Sequence, residues 1–157
     1  MIKIVQEKDP ILRGTAQEVA LSDIATENIQ NILRTMKKTL SLQKDGVALA
    51  APQIGVSLRI FIVSGKIFAD PAVSSADGAA TIPPELVFIN PKILKLSRKK
   101  EDTSEGCLSV RHWYGIVKLS VKATVEARNE KGVLFLRGGS GLLAQIFQHE
   151  IDHLDGI

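Results

Sequence analysis

A single cysteine, Cys107, in 157 residues excludes an internal disulfide, fits a reducing compartment and leaves that thiol available for other work. No apolar run approaches the roughly 20 residues that a membrane-spanning helix requires. The N-terminus, M-I-K-I-V-Q-E-K-D-P, lacks the charged-then-apolar layout of a secretory signal. These absences predict a cytoplasmic protein with no membrane partner. Net charge is low as well: a formal +3 does not by itself indicate specific nucleic-acid binding. No internal repeat is present. With 45% hydrophobic residues the chain suits one compact domain over 1–157 with a real core, and a monomer is expected.

What is present concentrates near the end of the chain, in Q-H-E-I-D-H-L-D-G from Gln148 to Gly156. The preceding apolar residues Leu142, Leu143, Ile146 and Phe147, continued by Ile151 and Leu154, recur at three-and-four spacing and predict an amphipathic helix. His149 and His153 then project from one face a turn apart and can both reach a divalent cation, with Glu150 beside them as a general base. A purely structural helix can hold H-E-x-x-H by chance. Against that, neutral imidazoles set beside an apolar stripe need polar partners, and a metal supplies them. Two histidines do not close such a site, so a further ligand must come from upstream. Cys107 and His112 are the remaining cysteine and histidine, and carboxylates such as Glu105 are open alternatives. Cys107 is preferred because Gly106 frees the backbone beside it, in a loop E-G-C-L-S over Glu105 to Ser109. The plain alternative is a small buried hydrophobe.

The rest of the chain reads as scaffold. Asp9-Pro10-Ile11-Leu12-Arg13 is extended or turning. A long helix follows Ser22 or Asp23 as cap, with Ile29, Ile32, Leu33, Met36 and Leu40 on its packing face and Asp45-Gly46 as its stop. Gly46 to Gly55, G-V-A-L-A-A-P-Q-I-G, combines small residues with one amide, Gln53. It is either a tight-packing loop or the wall of a cleft in which Gln53 donates a hydrogen bond. Leu58 to Val63 predicts a buried strand, and Ser64 to Pro84 a mobile surface loop inserted into the domain. Leu86 to Ile89 and Ile93 to Leu96 predict two strands joined through Asn90-Pro91, and Arg98 to Asp102 a solvated turn. Tyr114 to Arg128 alternates as one half-buried strand. Val133 to Leu136 pairs back on it, and Gly138 to Gly141 leads into the last helix. Strands gathered around a C-terminal helix, with a long helix near the N-terminus, give an α+β fold of antiparallel or mixed sheets.

Three segments in this order, G-V-A-L-A-A-P-Q, E-G-C-L-S and Q-H-E-I-D-H-L-D-G, resemble the signature motifs of peptide deformylase, and D-P-I-L-R near the start is similar too. The resemblance implies a hydrolase that removes the formyl group from N-formylmethionyl nascent peptides, with one divalent metal ion per chain. Ferrous iron would be the native metal, with zinc or nickel as substitutes. Carried over residue by residue, it implies metal ligation by Cys107, His149 and His153, acid/base work by Glu150, and an oxyanion site made by the Gln53 amide and the Leu108 backbone N–H. An extended peptide would lie along Gly46-Val47 and Tyr114-Gly115, with an apolar pocket at Val47 and Ile146 for the methionine side chain. Two residues depart from the family pattern. Ala48 replaces a glycine of the first motif, and Arg111 stands where a proline often follows the second. With the chain ending at Ile157, ribosome docking through a C-terminal extension is not expected. For the same reason the third histidine of a metzincin peptidase, six positions after His153, has no place. A non-catalytic binder of the same fold has Ala48 as its one hint, and Glu150, Gln53 and Cys107 weigh against it.

Overall fold

The apolar run Ile60–Val63 does not alternate with polar residues because both faces of its strand are covered. Phe61 and Val63 pack into one cluster with Phe88, Val125, Ile146, Phe147 and Leu154. Ile60 and Ile62 pack into another with Ile29, Leu33, Met36, Leu40 and Leu49. The molecule is therefore layered, with a helix on each side of a sheet. The computed structural model describes residues 11, 14–43, 46–68, 84–107 and 110–157, and the side chains of 103–117 are outside that description.

The main sheet has five strands in the order β1-β2-β3-β6-β7, antiparallel at each pairing: β1 Ala48–Ala50, β2 Ile60–Val63, β3 Leu86–Leu96, β6 Lys122–Arg128 and β7 Leu134–Ser140. A separate hairpin pairs β4 Lys100–Cys107 with β5 Val110–Ser120. Helix α1, Glu27–Ser41, buries Ile29, Leu33, Met36 and Leu40 against one face of the main sheet. Helix α2, Leu142–Leu154, buries Ala144, Ile146, Phe147, Ile151 and Leu154 against the other. This is an α+β arrangement of antiparallel sheets with two helices. Three aromatic rings brace the α2 side. Phe61 and Phe88 stack at 4.6 Å, and Phe147 meets Phe88 edge-on at 5.4 Å.

Several elements differ from the sequence expectation. The cap of α1 is Thr26, whose hydroxyl accepts from the Ile29 N–H at 3.4 Å; Ser22 and Asp23 form a short 3-10 turn ahead of it. Leu58 makes only an isolated bridge to Gln17, and the strand begins at Ile60. The two strands expected on either side of Asn90-Pro91 are one bulged strand, β3. Asn90 has φ +52°, and its amide both accepts from Val19 N–H and donates to Val19 C=O at 2.8 Å. The single strand expected over Tyr114 to Arg128 is two, in different sheets, broken at Val121. There the Val121 N–H donates to Lys99 C=O at 3.1 Å, and its carbonyl accepts from Gly141 N–H at 3.2 Å. Lys100 to Asp102 begins β4 instead of forming a turn, and Glu105, Gly106 and Cys107 are its last residues instead of a loop. Gly138, Gly139 and Ser140 extend β7. Residues 69–83 and Asp9, Pro10, Leu12 and Arg13 lie outside the described residues; Gly65–Phe68 is a 3-10 turn.

Candidate active site

The burial pattern of α2 sets the site. Its fully buried stripe faces the sheet, Asp152 faces solvent, and Gln145, His149 and His153 form a half-buried ridge between them, four residues apart. The ridge brings His149 Nε2 within 3.1 Å of His153 Nε2, with the rings nearly perpendicular at 86°. Both nitrogens can bind one cation at the roughly 2.0–2.1 Å typical of an imidazole ligand, so the pair fits a shared metal ion. Among the described side chains, no group of three His, Cys, Asp or Glu residues converges on a cation position. Cys107 is the last residue of β4, paired with Val110 of β5, and its side chain is outside the described set, as are those of Glu105 and His112.

Glu150 follows His149 directly but turns toward the sheet and is only 4% exposed. A carboxylate so enclosed costs free energy that a purely structural helix avoids by carrying an apolar residue. Gln53 is 1% exposed, in the 3-10 turn Ala51–Ile54 that continues directly from β1. Its Oε1 accepts from the Ala50 N–H at 3.0 Å, which fixes the amide orientation and makes Nε2 its donor end. Since β1 packs on α2, the Gln53 turn is carried by the strand that abuts the histidine helix. The segment is thus a strand and a turn, not a loop.

The remaining expected site residues are placed as follows. Val47 packs against the apolar cluster that contains Ile146, so these two share one environment. The Val47 carbonyl accepts from Ser64 N–H at 2.7 Å, and Gly46 N–H donates to Gln43 C=O at 3.3 Å. Tyr114 and Gly115 lie in β5 opposite Gly106 and Glu105. Leu108 lies outside the described residues. Helical spacing alone assigns Gln148 no role, yet among the described residues its side chain ties α2 to the hairpin. Its Oε1 accepts from Ser120 N–H at 3.0 Å, and its Nε2 donates to Ser120 C=O and to Ala144 C=O, each at 2.9 Å. Its signal in the sequence is its place on the apolar side of the helix, where an amide must find backbone partners. Arg59, a polar residue immediately ahead of the apolar strand β2, likewise takes remote partners: its guanidinium donates to the Leu154 carbonyl at 3.2 Å and pairs with Asp155 at 2.9 Å.

A helix-borne H-E-x-x-H with an enclosed glutamate, backed by an antiparallel sheet, is an arrangement that suits a metal-dependent hydrolase. The chain belongs to the polypeptide deformylase family, whose description matches residues 1–157. It is 40% identical to the peptide deformylase of Desulforudis audaxviator over all of this chain and 90% of that protein. To the peptide deformylase of Thermomicrobium roseum it is 40% identical over 98% of this chain and 81% of that one. Its structure resembles the crystal structure of peptide deformylase from Thermotoga maritima, with TM-score 0.82 and 32% identity, covering 100% of this chain and 93% of that one. A class I type b peptide deformylase from Acinetobacter baumannii with Met-Ala-Ser bound matches with TM-score 0.84 and 28% identity, covering 100% and 94%. No helix of the described residues is long and apolar enough to cross a membrane.

Proposed function

We propose that the histidine face of α2 is the catalytic centre through which this chain, a hydrolase of the deformylase family, removes the formyl group from the N-terminal formylmethionine of newly made polypeptides. The observation that carries this is the 3.1 Å approach of His149 Nε2 and His153 Nε2 with the enclosed Glu150 between them in sequence. His149 and His153 hold one divalent cation, with Cys107 as third ligand. Ferrous iron is the native metal in this reading, and zinc or nickel can replace it. When bound, a cation with three protein ligands and an open position supplies Lewis-acid polarisation and a lowered pKa for water.

The chain's own residues do the rest. Glu150 takes a proton from the water that attacks the formyl carbon and returns it to the leaving amine, so that formate and a free N-terminus result. The Gln53 amide N–H and the Leu108 backbone N–H donate to the carbonyl oxygen as negative charge builds on it. Among the described strands β1 pairs with β2 alone, which leaves one edge for an extended peptide running past Gly46 and Val47, with Tyr114 and Gly115 opposite. The Met-Ala-Ser bound to the Acinetobacter enzyme is a peptide of the required kind. Val47 and Ile146 contribute apolar surface for its methionine side chain. In this reading the chain acts as a single cytoplasmic catalytic domain and a monomer on N-formylmethionyl nascent peptides, with the ribosome a candidate partner by a route other than a C-terminal extension, and with no membrane or specific nucleic-acid partner.

The test compares formyl-Met-Ala, N-acetyl-Met-Ala and an unrelated internal peptide. Release of free amine from the first, with far slower reaction of the second because the extra methyl crowds the site, is expected. Internal cleavage without deformylation would identify a peptidase instead, and neither activity in metal-replete protein would identify a binder. Metal analysis should find about one divalent ion per chain, and less after Cys107→Ala.

A further inference from the structure

The second metal-ligand candidate, His153, sits one residue before the end of α2, where helices fray by default. Here that end is bolted down. The carbonyls of Ile151, Asp152 and His153 accept from the N–H groups of Asp155, Ile157 and Gly156 at 3.0, 2.9 and 3.2 Å. The Leu154 carbonyl accepts from two distant donors, Ala16 N–H at 2.8 Å and Arg59 Nη1 at 3.2 Å. The other arm of the same guanidinium, Nη2, pairs with Asp155 Oδ1 at 2.9 Å. Arg59 is rigidly held itself. Its N–H donates to Gln17 C=O and its carbonyl accepts from Asn90 N–H, each at 2.8 Å, and its side chain is only 15% exposed. A fork of two donors, fixed to the sheet and aimed at a helix carboxyl end, satisfies an orphan carbonyl and complements the helix dipole.

We propose that Arg59 is a positioning residue for the two-histidine cation site. By fixing the last turn of α2 through Leu154 and Asp155, it holds His153 where its Nε2 faces that of His149. This rests on the reading that the histidine pair binds a cation. Without Arg59 the final turn keeps, among the described residues, only the Ala16 donor to the Leu154 carbonyl, and the separation of the two imidazoles is held less tightly.

The experiment measures the affinity of the metal-free full chain for Zn²⁺ by competition with a chromogenic chelator, together with hydrogen exchange of the backbone amides of 153–157. Arg59→Gln should weaken Zn²⁺ binding about fivefold, less than the roughly 10–100-fold that loss of a partner bonded directly to a ligand costs, because Arg59 acts through Leu154 and Asp155. The same variant should exchange faster at 153–157, and Arg59→Lys should recover part of the affinity. Asp155→Ala, at an exposed position with little bearing on folding, should weaken binding severalfold. If Arg59→Gln and Asp155→Ala both bind Zn²⁺ within twofold of the unaltered chain, the positioning role is wrong even if both melt at lower temperature. If the unaltered chain binds no Zn²⁺, or binds it unchanged after His149→Ala, the cation-site reading fails and this proposal fails with it.

Discussion

The Gln148 side chain brackets Ser120, accepting from its N–H at 3.0 Å and donating to its C=O at 2.9 Å, so that one amide joins the histidine helix to the end of β5. The clamp is buried, with Gln148 8% and Ser120 3% exposed. Gln148→Ala leaves the Ser120 backbone groups without this partner. Such groups cost about 1–3 kcal/mol each when buried unsatisfied, so a stability loss of about 2–6 kcal/mol is expected for the two. Urea denaturation measures it. A loss below about 0.5 kcal/mol would show that the clamp is incidental.

Gly139 permits a close crossing of β7 and α2. A Cβ placed on it would lie 2.7 Å from Leu143 Cγ and 2.8 Å from Leu143 Cδ2. Gly139→Ala should therefore cost about 1–3 kcal/mol through overpacking. Gly138→Ala, whose added Cβ would meet only Thr124 Oγ1 at 3.7 Å, serves as the control and should be nearly neutral apart from the usual glycine entropy. Thermal melts of the two variants side by side give the difference directly.

Phe88 stacks on Phe61, meets Phe147 edge-on and contacts Phe135 at 5.3 Å. Removing its ring opens a cavity beneath α2. Phe88→Ala should lose about 3–5 kcal/mol, whereas Phe88→Leu, which keeps more of the volume, should lose clearly less. Equal losses would mean that the packing around the ring collapses freely.

What was legible in the sequence was local. The helix that bears His149 and His153 follows from three-and-four spacing, and the facing of the two imidazoles follows from being four residues apart. The buried stripe of α1 is visible for the same reason. Elements fixed by long-range partners were not visible. Tyr114 to Arg128 alternates with little interruption, so the switch between sheets at Val121 is set by Lys99 and Gly141, which no local pattern reports. Asn90-Pro91 reads as a break because proline ends regular pairing. The strand passes through it because the Asn90 amide finds the Val19 backbone across the fold. Gln148 and Arg59 act on Ser120 and Leu154, both remote in sequence, so their roles emerge only once the layers are assembled.

The most direct test of the account is to measure formate release from formyl-Met-Ala and bound metal in parallel, for the unaltered chain, Glu150→Gln and His149→Ala. The enclosed Glu150 is assigned to proton transfer and not to ligation, so Glu150→Gln should retain about one metal ion per chain while turnover falls by about 10²–10⁴. His149→Ala should lose both. Full turnover in Glu150→Gln, or undiminished metal and turnover in His149→Ala, would contradict the assignment of the α2 histidine face as the deformylation centre.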